Sequence, residues 1–182
     1  FNLASAVNTQ THIGFFDAFI FLGVFQGLLL SWFFIKNGEK ERRANLYMGL
    51  LLLFLSLGIF EEWLNNTGYI VRVLYLSDFT EPMGLAYAPL FYLYVRRCLD
   101  PQDNTKVWPH FIIAVFWLFY MVFHWIQPDE LKYNSYLHTK HPDWEFLEVV
   151  MKIPEDPLGL RRYVNEFLGF QFTTYMVAAV VY

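Results

Sequence analysis

Long apolar runs broken by short charged stretches dominate this chain, and their lengths predict helices that cross a bilayer. The first run, Phe15–Ile35, gives roughly 31 Å of helix, matching a hydrocarbon core of about 30 Å. A hydrophilic connector, KNGEKERR, follows at 36–43. A second run extends from Ala44 to about Phe60 and closes on Glu61, Glu62 and Trp63, ahead of the turn-forming stretch NNTGY. The third, Val71–Val95, contains Asp78, Glu81, Pro82 and Pro89, and a kink or partial break is expected near Pro82. Arg96, Arg97 and DPQDN end it. The fourth, Val107–Ile126, carries Trp108 and Trp125 near its two ends, at the headgroup depth that Trp favours. A fifth begins near Phe167 and runs to the last residue.

Residues 127–163 break the pattern, with four of the eight prolines, many charges and no run long enough to cross. Within them Trp144, Leu147 and Met151 fall at i, i+3 and i+7, which predicts a short amphipathic helix over Trp144–Lys152 lying on the membrane surface. The expected fold class is therefore all-α: a polytopic transmembrane helix bundle of four full spans plus the start of a fifth. It divides into an outer N-terminal segment (1–14), the four-span bundle (15–126), an extracytoplasmic loop (127–163) and the opening of the fifth span (164–182).

Composition supports a bilayer as solvent. Hydrophobic residues make up 56% and charged residues 16%, with 20 Phe, 12 Tyr and 6 Trp, against about 45–50% and about 25% in soluble domains. One core of this size cannot hide that much apolar surface. The net charge of −4 excludes a strongly basic nucleic-acid-binding surface, and a single cysteine, Cys98, excludes an internal disulfide framework. Seven basic residues (Lys36, Lys40, Arg42, Arg43, Arg96, Arg97 and Lys106) sit in connectors one and three, which places those connectors in the cytoplasm and the N-terminus outside. Arg161 and Arg162, on the outer side beside the fifth span, run against this count.

The chemistry on offer is sparse. Asp78 and Glu81 share a helix face if that stretch is helical, and Asp17 lies at matching depth on an antiparallel span, so the three form a candidate polar pocket. Glu61 and Glu62 are paired like the glutamates of intramembrane CAAX-type proteases, but Asn66 stands where that motif has Arg; a solvated helix end is the simpler reading. His138 and His141 lie beside Asp143, yet zinc needs a further well-placed ligand, and His110 and His124 read as hydrogen-bonded structural residues. No phosphate loop, GxSxG or SxxK is present, so neither catalysis, a metal nor a cofactor is expected.

The phrase PLFYLYVRR, with Pro89, Leu90, Tyr92, Tyr94, Val95 and Arg96, followed by His110–Phe111 after a short connector, resembles the membrane-embedded N-terminal sensor region of Bacteroidetes-type AraC-family transcription regulators. The opening span FLGVFQGLLLSWFF with Gln26, the basic connector and Asn45–Leu46 are similar too; Ile112–Ile113 stand where that family usually has proline. The resemblance implies seven spans in a bacterial inner membrane, an outside N-terminus and DNA binding through a helix-turn-helix domain that this chain does not contain. It makes the expected function sensory: an outer-face signal, met by Tyr133, Tyr136 and Trp144, is coupled to a cytoplasmic transcriptional output. The expected partners are the lipid bilayer and a second copy or a membrane complex; the ligand is unspecified. An accessory subunit of a larger membrane complex and a small transporter built on the three carboxylates are the alternatives.

Overall fold

The computed structural model describes residues 11–38, 43–151 and 153–181. Most of the outer N-terminal segment, Lys40 and Arg42 of the first connector, and Lys152 lie outside the described residues. Among those described, all regular structure is helical: α1 (Phe15–Gly38), α2 (Arg43–Asn66), α3 (Glu81–Leu99), α4 (Ile112–Tyr120), α5 (Val122–Trp125), α6 (Asp129–Lys140) and α7 (Val164–Val181). Three stretches are long and apolar enough to cross a membrane: Phe15–Asn37, Arg43–Asn66 and Trp108–Trp125. Their apolar side chains, among them Phe19, Phe25, Trp32, Ile59, Ile113 and Phe119, are largely exposed, the inverse of a soluble protein and what a lipid solvent rewards.

α1 and α2 form a close hairpin, and small residues permit it. A Cβ on Gly27 would lie 2.2 Å from Ser56 Oγ, and one on Gly49 would lie 2.6 Å from Ile35. Ser31 Oγ donates to the Gly49 carbonyl at 2.8 Å, the kind of interhelical bond that replaces the missing hydrophobic drive in lipid. The main core gathers Tyr47 and Leu51 of α2, Leu85, Ala86, Leu90 and Leu93 of α3, and Ala114, Trp117 and Met121 of the fourth stretch, with α7 packed against it through Val164, Leu168 and Tyr175.

A second, smaller core lies where α2 ends. Leu64, Ile70 and Leu74 meet Tyr133, Tyr136 and Leu137 of α6. The sequence pattern did not predict α6, whose buried positions Tyr133, Tyr136 and Leu137 nonetheless stand at i, i+3 and i+4. Pro128, in an extended conformation, precedes it, and Asp129 and Glu130 occupy its first turn, where negative charge suits the helix dipole.

Two expectations need correction. The third run is not one helix from Val71 to Val95. Residues 69–76 make short 3₁₀ turns, Asp78 adopts a left-handed conformation (φ 56°), and the helix begins only at Glu81. Pro82 sits in its first turn, where a missing N–H costs nothing, so this proline opens the helix instead of kinking it. The amphipathic helix expected over Trp144–Lys152 is also absent. Residues 145–150 carry no helix, because the Asn134 side-chain amide captures the backbone of Leu147: Nδ2 donates to its carbonyl and Oδ1 accepts its N–H, both at 2.8 Å. A backbone group spent on a distant side chain is lost to the helix ladder.

Candidate functional site: a charge cluster at the start of α3

The site is built where three peptide segments converge on the end from which α3 starts. Glu81 opens α3, Asp78 precedes it, His124 belongs to α5, and Glu155 and Arg161 come from the loop that leads into α7. Asp156 shapes that loop. Its carboxylate accepts the backbone N–H of Leu160 at 2.9 Å and of Arg161 at 3.2 Å, capping the turn that starts the last helix. Gly159 takes the left-handed conformation the turn requires (φ 66°). The Tyr120 hydroxyl donates to the same carboxylate and accepts the Leu158 N–H, fastening the loop to α4.

Arg161 is thereby aimed inward. Its Nη2 donates to Asp78 Oδ2 at 2.9 Å and Glu81 Oε2 at 3.2 Å, and its Nη1 bonds Glu155. The Trp117 indole holds the other oxygen of Glu81 at 2.9 Å. His124 is fully buried between two carboxylates: Nδ1 lies 2.7 Å from Glu155 Oε1, and Nε2 lies 3.2 Å from Asp78 Oδ2, close enough for an ion pair though poorly aligned for a hydrogen bond. Nδ1 is also 2.9 Å from Arg161 Nη1. A protonated ring can donate to Glu155 and a neutral one can accept from Arg161, so Nδ1 has a partner in either state.

Three carboxylates thus face one permanent cation and one imidazole. Burial works to raise the pKa of Asp78, but contact with His124 and the charge of Arg161 outweigh it, and the carboxyl is held below its ordinary value. The hydrogen bond with His124 leads the same effect at Glu155, where burial opposes it and the charges of His124 and Arg161 assist, so this carboxyl too is depressed. Chemically the cluster is an ion-pair lock between a loop and the ends of two helices. Among the described residues, no group of three or more His, Cys, Asp or Glu is placed to hold a metal ion.

Of the carboxylates read from sequence, Asp78 and Glu81 meet here on Arg161, and Asp17 does not join them. Asp17 accepts the Gly14 N–H at 2.7 Å at the start of α1, while its own carbonyl accepts the Trp63 indole at 2.9 Å. Tyr133 and Tyr136 are core residues of the smaller cluster. Trp144 is 44% exposed and stacks on His141 at 4.2 Å. Glu61 is no solvated cap: it is buried and accepts both the backbone N–H (3.0 Å) and the hydroxyl of Thr80. Its neighbour Glu62 is exposed, paired with Lys140 at 2.7 Å.

Arg161, Glu155 and His124 were not singled out by sequence reasoning as members of one site. The one available signal was the misfit of Arg161 in the count of basic residues. The structure gives Arg161 a local use that the count of basic residues could not show, as the shared partner of three carboxylates.

No protein-family model matches the chain, and neither a curated protein nor a solved structure matches it.

Proposed function

We propose that this chain is a membrane sensory module that passes an outer-face signal to a cytoplasmic transcriptional output lying outside it. In this reading α3 and α7 also cross, at about 28 and about 27 Å of helix, the N-terminus and the 127–163 segment lie outside, and the membrane is a bacterial inner membrane. The observation that supports it is the Arg161 lock. A loop on the outer side grips Asp78, Glu81 and His124 at once, so any ligand that displaces the loop changes the electrostatics at the ends of two spans and at the root of a third. A ligand biases such a two-state element only by its differential affinity for the two states.

The test is made in cells carrying the full reading frame. In a Cys98→Ser background, cysteines placed at Asn104 and Asn134 report topology: the first is expected to be shielded from impermeant thiol reagents and the second labelled. Asp78→Asn removes the charge while keeping a residue that tolerates the left-handed conformation. It is expected to insert normally and to change the transcript profile relative to wild type. Transcripts that are identical in wild-type, Asp78→Asn and deletion strains would sink the sensory reading and favour an accessory subunit.

A further inference from the structure

The loop that carries the lock also walls a groove. Phe116, Phe119, Tyr120 and Phe123 form one side, and Pro157 and Leu158 the other, enclosing ≈ 380 Å³. Among the described residues, no charged side chain lines it. The one polar group at hand, the Tyr120 hydroxyl, is already spent on Asp156 and the Leu158 N–H. A polar small molecule would find little to bond along these walls, and a peptide would leave its backbone N–H and C=O groups unbonded, which is costly. A hydrocarbon chain has no such groups. The groove also opens onto the exposed face of Trp108–Trp125, a stretch long and apolar enough to cross a membrane, so its open side is continuous with that apolar face.

A cation stands at its rim. Arg162 is exposed, its guanidinium lies over the Tyr163 ring at 5.0 Å, and no carboxylate pairs with it among the described residues. Its Nε is 3.9 Å from where a Cβ on Gly159 would sit, immediately after the groove residue Leu158. Adjacent arginines are therefore put to opposite uses: Arg161 turns inward to three carboxylates, while Arg162 stays at the mouth of an apolar slot.

We propose that this groove binds one anionic phospholipid of the leaflet on the side of the 127–163 segment, an acyl chain lying between the aromatic face and Pro157–Leu158 and the phosphate on Arg162. The assignment rests on residues 108–125 crossing the bilayer, not on any transcriptional role. A bound lipid would press on the loop that holds Glu155, Asp156 and Arg161, making lipid composition an input to the lock.

Native mass spectrometry of the purified full chain, equilibrated with equal amounts of phosphatidylglycerol and phosphatidylcholine, reads the proposal directly. Wild-type protein is expected to retain one phosphatidylglycerol in preference to phosphatidylcholine. Arg162→Gln should cut that preference about fivefold, the weight of one basic residue near an anionic surface, and Arg72→Gln, a change at an exposed arginine elsewhere, should leave it unchanged. Leu158→Glu, at a residue 69% exposed, should abolish retention of both lipids while the melting temperature stays near that of wild type. If Arg162→Gln and Arg72→Gln give the same preference, or if Leu158→Glu retains lipid as wild type does, the bound lipid is ordinary annular lipid and the assignment is overturned. Should Leu158→Glu fail to fold, the comparison of the two arginine variants decides alone. The readout involves no transcription, so its failure and that of the sensory reading are separate.

Discussion

The same three helical stretches are tied together twice, at opposite ends and by opposite means. Where α3 starts, Arg161 binds Asp78, Glu81 and Glu155 around a buried His124. Where α3 ends, Tyr92, His110 and Tyr175 pack as a ring of aromatics with centroids 5.5–5.7 Å apart, and His110 Nδ1 lies 2.9 Å from the Tyr175 hydroxyl. Arg96 closes that end, donating to the Tyr92 hydroxyl at 3.0 Å and pairing with Asp103 at 3.1 Å. The aromatic clasp is a sum of moderate contacts, each worth about 0.5–1.5 kcal/mol, and losing one leaves the others intact. The charge lock is not graded in this way. Its single permanent cation serves three carboxylates, so removing that cation strands them all.

The largest expected effect follows from that asymmetry. Arg161→Gln leaves Asp78, Glu81 and Glu155 facing one another with only His124 between them. Breaking a buried pair from one side costs about 3–5 kcal/mol. These carboxylates are 15–33% exposed, so water relieves part of the penalty and about 3 kcal/mol is expected. Thermal melting in detergent should show the drop, and a double variant, Arg161→Gln with Glu155→Gln, should recover part of it. Melting unchanged by Arg161→Gln would mean that the lock carries no net stability.

Acid tests the charged end next. Asp78 and Glu155 are depressed in the folded state, so the unfolded chain binds more protons in the window below their ordinary values of 3.8 and 4.5. Stability from these groups is complete above that window and is lost as pH falls through the folded values. Pepsin cleavage within residues 153–163 is therefore expected to accelerate on acidification, and to lose that acceleration when Asp78→Asn and Glu155→Gln are combined. Acceleration that persists in the double variant would contradict the assignment of acid sensitivity to the lock.

How much of this was legible in the sequence divides along the same line. Three helical stretches of membrane-crossing length declared themselves by their apolar runs, because lipid imposes a minimum length. The third run, Val71–Val95, reads as one helix in the sequence but is helical only from Glu81. Asp78 and Glu81 stood out because ionisable residues are rare in such runs. Tyr92 and His110 lie in the two phrases that drew attention, PLFYLYVRR and the His-Phe pair, but their partner Tyr175 sits in an unremarkable stretch of α7. Arg161 was hidden for another reason: it reaches Asp78 across 83 positions of chain, and no local periodicity encodes such a contact. The non-helical course of 145–150 was hidden similarly, since its helical spacing is real but Asn134, 13 residues earlier, overrides it.

At the aromatic end a smaller loss is expected. Tyr175→Phe keeps the ring packing against Tyr92 and His110 and removes only the hydroxyl that meets His110 Nδ1, which should cost about 1 kcal/mol. Tyr175→Ala removes the ring as well and should cost more. Equal losses for Phe and Ala in thermal melting would show that the hydroxyl, not the packing, holds α7 at this end.

The smallest effect tests whether charge alone makes the difference between the two ends. Lys140 of α6 bonds Glu62 and the Asn66 side chain of α2, each at 2.7 Å, so on paper it resembles Arg161 in bridging a loop-side element to a span. Its setting is different. Glu62 is 58% exposed, water already solvates its carboxylate, and truncating the lysine strands nothing. Exposed pairs of this kind are worth about 0.2–1 kcal/mol and weaken with salt. Lys140→Ala is expected to fall within that range and to vanish at high ionic strength, while the Arg161→Gln loss persists there because salt screens a buried cluster poorly. Comparable losses for the two variants at high salt would show that convergence and burial, the properties that distinguish the lock, do not govern its strength.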